Sequence, residues 1–200
     1  FDMVKGKDKY RYRIILIGLD GATWNIIERG VKANRLKTFK MLIEQGAISR
    51  LKSTIPPVSP SAWTSIFTGV NPGKHGIFGF VKEEKKSHSL LPISSTDRKC
   101  ASIWKIVSKY GKRVVAMNIP FSFPPEKVNG IMSAGLGTPS INSNFTYPPS
   151  FKSMILKHFP DFDVDFDEEL LAEEPGELID KIKRVTKAEI KICKYLLMNM

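Results

Sequence analysis

A carboxylate flanked by glycines and a hydroxyl ahead of a proline are the residues of this 200-residue sequence best placed for chemistry. Asp20 follows the apolar run Arg13-Ile-Ile-Leu-Ile-Gly-Leu19 and sits in Gly18-Leu-Asp-Gly21. A carboxylate at a strand end is open to a cation or to a phosphate's metal, and it serves equally to cap the short helix that follows. Ser59 precedes Pro60 at the predicted start of a helix. A hydroxyl there faces the positive end of the helix dipole and unpaired backbone N–H groups. A nearby divalent cation would lower its pKa and make it a nucleophile. The bland reading is a plain N-cap. Thr54, Ser61, Thr64 and Ser65 are hydroxyls close by, and spacing alone does not choose among them.

Two other patterns fail their own chemistry. Thr68-Gly-Val-Asn-Pro-Gly-Lys-His-Gly76 is one residue shorter than a phosphate-binding P-loop and lacks the Ser or Thr that holds magnesium. Its glycines read as a structural turn. Asp161-Phe-Asp-Val-Asp-Phe-Asp167 alternates carboxylates, but the sixth and twelfth positions of a calcium loop fall on Phe166 and Ala172, where Gly and Glu are needed. An exposed edge strand or loop, acidic on one side and apolar on the other, is the better reading.

The elements that must carry Asp20 and Ser59 follow from periodicity. Arg13–Leu19 is short, continuous and rich in isoleucine, the pattern of a strand buried on both faces. Helices are predicted from Trp24 to Arg29 and from Leu36 to Gln45, the second with apolar residues at 36, 39, 42 and 43 and Gly46 as its stop. Ile48–Leu51 is a candidate strand. Prolines make 53–61 a loop, and the Ser59 helix runs to about Phe67, with Ser59 as N-cap. Residues 69–79 are turn-rich, and 82–89 form a charged hairpin or loop. Then come a helix over 101–110, a strand over 112–117, a strand over 130–133, a helix over 149–159 and a long helix over 175–200. Strands alternating with helices predict an α/β layered fold with a largely parallel central sheet flanked by helices. Ligands of such sheets gather at the C-terminal strand ends, where Asp20 and Ser59 are expected.

Composition narrows the function classes. Lys plus Arg number 31 against 20 Asp plus Glu, a formal charge of +11. The basic residues are scattered apart from a lead-in over 1–12, expected to be flexible, and the stretch 82–86; no zinc-finger or RNA-binding signature accompanies them, which argues against nucleic acid as the partner. The cysteines, Cys100 and Cys193, form neither a disulfide framework nor a zinc module. Three histidines, His75, His88 and His158, are too few for an all-histidine metal site. The longest apolar run falls far short of the roughly 20 residues of a membrane span. A cytoplasmic protein is expected.

Five pieces occur in order: Gly18-Leu-Asp-Gly-Ala-Thr-Trp24, Ser53-Thr-Ile-Pro-Pro57, Ala62-Trp-Thr-Ser65, Thr68-Gly-Val-Asn-Pro-Gly-Lys-His-Gly-Ile77 and Asn118-Ile-Pro120. Together they resemble the type I phosphodiesterase/nucleotide pyrophosphatase family of the alkaline phosphatase superfamily, over about residues 13–149. The resemblance implies an alkaline-phosphatase-like fold and hydrolysis of a small-molecule phosphoester with two divalent metal ions, usually zinc, with manganese as the other choice. It implies Asp20 as a metal ligand and Ser59 as metal ligand and nucleophile. The family's Asp-x-x-x-His and Asp-His ligand motifs do not occur in the chain. The expectation is therefore that residues 13–200 form the N-terminal portion of a catalytic domain, inactive alone, whose remaining ligands lie beyond Met200. Residues 150–200 are expected to pack on the sheet or to belong to a cap or insertion. The same fold and residue pair would serve a phosphomonoesterase, a sulfatase or a phosphotransferase. A non-catalytic binding protein that keeps the fold is the competitor from another class.

Overall fold

The computed structural model describes residues 13–84, 87–164 and 175–199. The chain divides into two compact units, Phe1–Leu51 and Lys52–Met200.

In the first unit, helices α1 (Trp24–Lys32) and α2 (Lys37–Gln45) form a hairpin. Ile27 is its buried residue, and Leu36 packs so close to Gly30 that a Cβ there would come within 2.5 Å of the Leu36 side chain. The predicted strand over 13–19 is absent. Residues 13–19 have no strand pairing among the described residues, and Ile14 to Ile17 are exposed, Ile14 at 94%. Ile48–Leu51 forms no strand either. The physical reason is general: an extended apolar run becomes a strand only when neighbours take up its N–H and C=O groups and cover its faces.

The second unit is mixed α/β. After α3 (Ser59–Thr68) and the short α4 (Pro72–His75), an antiparallel hairpin pairs β1 (Val81–Glu83) with β2 (Leu90–Pro92). This resolves the charged excursion over 82–89 as a hairpin. A 3-10 turn at Ser95–Asp97 and helix α5 (Ile103–Lys109) follow. Strand β3 (Val114–Ile119) then pairs in parallel with β4 (Gly130–Ala134), and β4 pairs antiparallel with β5 (Thr146–Tyr147). Helices α6 (Pro149–His158) and α7 (Pro175–Asn199) complete the unit. The sheets are small, with two and three strands, and one strand pair is parallel. A largely parallel central sheet is thus not what the described residues form, because two of the four predicted strands lack ladder partners. Of the acidic alternation over 161–167, residues 161–164 carry no strand, with Phe162 and Val164 buried; Asp165 and Asp167 lie outside the described residues, as does the lead-in over 1–12.

Two apolar clusters sandwich the three-stranded sheet. One joins Phe67 of α3 and Trp104 of α5 to Ala116, Val128 and Met132, with the two rings 4.7 Å apart. The other joins Phe151 and Ile155 of α6 to Ala188, Ile192 and Leu196 of α7, with Ala134, Phe145, Phe162 and Val164. Helix α7 buries a stripe through Leu178, Ala188, Ile192 and Leu196, a helical spacing. Residues 150–164 and the described part of α7 therefore share a core with the sheet.

Candidate active site

Ser59 is the first residue of α3, with Val58 at the cap position and Pro60 second. The sequence places it one residue earlier, as the N-cap. The cap residue Val58 has no polar side chain, so no side-chain hydrogen bond closes the helix at that position. Half-buried, Ser59 stands beside first-turn N–H groups that have no partner within the helix.

Its neighbours are placed differently. The Thr54 and Ser61 hydroxyls are 3.0 Å apart; Thr54 donates to the Pro56 carbonyl at 2.9 Å, and Ser61 lies 2.7 Å from the same carbonyl. Thr64 is buried. The Ser65 hydroxyl lies 2.9 Å from His75 Nε2. The Ile77 N–H donates to His75 Nδ1 at 3.1 Å. With Nδ1 accepting, the ring proton sits on Nε2 and points at Ser65. Burial lowers the His75 pKa, a contact with the Ser61 backbone opposes this, and the Arg98 charge adds to the lowering. His75 is thus a neutral, fully buried strut between α4 and α3.

The turn that carries His75 explains the glycines of its motif. Gly69 closes α3 at φ +70°, and its N–H donates to the Ser65 carbonyl. Asn71 caps α4 by accepting from the Lys74 N–H at 3.2 Å, and Gly76 closes it at φ +80°. Both glycines occupy the left-handed region that L side chains avoid.

Asp20 lies in the first unit, in a turn with Gly21 at φ +68°. The cap position of α1 is Thr23, three residues after Asp20. Asp20 and Ser59 belong to separate units.

A third arrangement gives no signal in the sequence. Glu126 Oε2 accepts from Trp104 Nε1 at 2.6 Å, from the Ser102 hydroxyl at 2.7 Å and from Arg98 at 2.5 Å. Burial works to raise the Glu126 pKa, but the Ser102 hydrogen bond, the Arg98 charge and the Trp104 hydrogen bond outweigh it and hold the carboxyl below its ordinary range. Arg98 lies over the Phe67 and Trp104 rings at 5.3 and 5.9 Å. A lone Glu after two prolines has no periodic partner to announce it. Folding supplies the partners from residues over 20 positions away.

Among the described residues, no three His, Cys, Asp or Glu side chains converge on a metal position, and no helix is long and apolar enough to cross a membrane. One carboxylate and one hydroxyl are too few donors for a pair of metal ions. The described residues thus do not by themselves fit a two-metal centre.

No curated protein and no solved structure shows a significant match to the sequence. The family model for type I phosphodiesterase / nucleotide pyrophosphatase matches residues 14–190, most of the chain and all five motif pieces. The chain belongs to the type I phosphodiesterase / nucleotide pyrophosphatase family.

Proposed function

We propose that this chain supplies the nucleophile of a metal-dependent phosphodiesterase-like hydrolase, with Ser59 as that nucleophile and Asp20 as one metal ligand. Family membership gives the reaction class, and the family is typically metal-dependent. The observation that carries the residue choice is the contrast at the start of α3. Thr54, Ser61 and Ser65 have hydroxyls engaged in hydrogen bonds and Thr64 is buried, while Ser59 heads the helix outside any cap bond.

In the step we assign to it, Ser59 Oγ attacks phosphorus in line with the leaving oxygen. The Oγ–P bond forms as the P–O bond to the leaving alkoxide breaks, and the serine proton passes to solvent or to the leaving oxygen. Water then attacks phosphorus in the seryl phosphodiester, which still carries the second ester group, releases a phosphate monoester and restores the serine hydroxyl. The helix N-terminus favours the negative charge that gathers on the phosphoryl oxygens. His75 cannot be the base for this step, since its Nδ1 accepts from Ile77 and its Nε2 faces Ser65. The donor set for zinc or manganese is completed, on this reading, by residues other than those described.

The test uses the full-length protein carrying this chain, supplied with zinc or manganese, and an aryl phosphodiester. Ser59→Ala is expected to lower turnover roughly 10³-fold or more. Full turnover in that variant overturns the assignment. An aryl phosphomonoester and an aryl sulfate run alongside decide between the diesterase and its sibling chemistries.

A further inference from the structure

A second site in the Lys52–Met200 unit is independent of Ser59. A cavity of about 160 Å³ opens at the C-terminal end of β3, between that strand and α7. Asn118 and Glu189 lie at its polar side, and Leu136, Val164, Leu178 and Val185 form its apolar wall. The volume is that of about five waters or of one short alkyl chain with a polar head.

Three features mark it as built rather than left over. First, Asn118 holds φ +50°, in the left-handed region, and the β3–β4 register shifts between Ala116 and Ile119 around it. Such conformations persist where surrounding structure enforces them, and functional sites are among the places where they cluster. Second, the opposing residue on the chain after β4 is Gly135. A Cβ there would lie 2.3 Å from Asn118 Oδ1 and 2.7 Å from its carbonyl oxygen, so the glycine is what lets Asn118 stand in this position. Third, Asn118 Nδ2 donates to Glu189 Oε1, fixing a carboxylate of α7 against a strand end 71 residues away in sequence.

The charges select the guest. Lys181 is 3.3 Å from Asp163, so the lining cation is matched by one carboxylate. Among the described residues, Glu189 lines the cavity with a neutral amide, that of Asn118, as its hydrogen-bond donor. Burial raises the Glu189 pKa, and the Asn118 hydrogen bond opposes this. Parallel strand pairs place ligand sites at the C-terminal ends, which is where this cavity lies.

We infer that the cavity binds a small organic cation, a primary alkylammonium whose head ion-pairs with Glu189 and whose chain lies along the apolar wall.

The test is a titration of the full chain, followed by amide NMR, with n-butylammonium, n-butanol and butyrate as equal-length probes. Butylammonium is expected to shift the Asn118, Leu136 and Glu189 resonances and to bind about tenfold more tightly than the other two, the scale of one charge-assisted hydrogen bond. Glu189→Gln is expected to abolish that preference. Leu136→Phe, which fills the cavity from its apolar side, is expected to remove binding of all three probes, and it decides the matter should Glu189→Gln not fold. Ser59→Ala is expected to leave butylammonium binding unchanged. No binding, equal binding of the three probes, or a preference that survives Glu189→Gln overturns the proposal.

Discussion

In residues 13–51 the isoleucines and leucine of the first apolar run stand in solvent, Leu16 at 70%, and one large side chain, Ile27, is buried. In residues 52–199 side chains of the same kind, Ile155 and Ile192, are fully buried against phenylalanines on facing elements. The local patterns are equally apolar. What differs is the partner: helices α6 and α7 meet each other and a sheet, whereas residues 13–19 meet no ladder among the described residues. Burial is a property of pairs of elements, so an apolar run specifies that something must cover it without specifying what.

The comparison breaks most sharply at Glu126. Removing its carboxylate leaves Arg98, which is 4% exposed, without its counter-charge, and leaves the Ser102 and Trp104 donors unmatched. Glu126→Ala should therefore cost about 3–5 kcal/mol, read from urea denaturation. A loss under 1 kcal/mol would show that the hub does not organise the α3–α5 side of the sheet.

Next in size is a matched pair of truncations. Ile155→Ala should cost about 2–5 kcal/mol, since it opens a cavity in a closed core. Leu16→Ala should change stability by less than about 0.5 kcal/mol, because its side chain is exposed. Equal costs at the two positions would mean that the first run is covered in solution.

The smallest effect is a pH dependence at His75. Its folded pKa lies below the ordinary value of 6.5, so below pH 6.5 the unfolded chain binds the proton more readily than the folded one. Stability contributed by the neutral ring is full above pH 6.5 and is lost as the pH falls from there through the folded pKa. His75→Gln should flatten the part of the stability profile just below pH 6.5, measured by denaturation at stepped pH. An unchanged slope there would assign the dependence to other groups.

Much of the second region is legible in the sequence. Pro149 and the apolar spacing after it mark α6, Gly111 marks the end of α5's segment, and Gly69 and Gly76 mark two helix ends, because each signal acts on its own stretch of backbone. The two-residue β5 and three-residue β1 and β2 are too short to set up a period of two, so alternation does not reveal them. At the candidate site, Ser59 and Asp20 are legible as residue types at element ends. Which hydroxyl near α3 is engaged is not, since the Ser65–His75 contact depends on a turn folding back ten residues later.

The sequence by itself determined the family and the longer helices and singled out two chemically apt residues, because motifs and helical periodicity are local and survive in a linear reading; the four-residue α4 lies inside a stretch that reads as turns. Tertiary structure alone decided three things. It engaged or buried the rival hydroxyls around Ser59, assembled Arg98, Ser102 and Trp104 on Glu126, and set Asn118 against Glu189 beside a cavity. Each joins residues that neither spacing nor propensity links, and only the closing of helices over a strand brings them within hydrogen-bond distance.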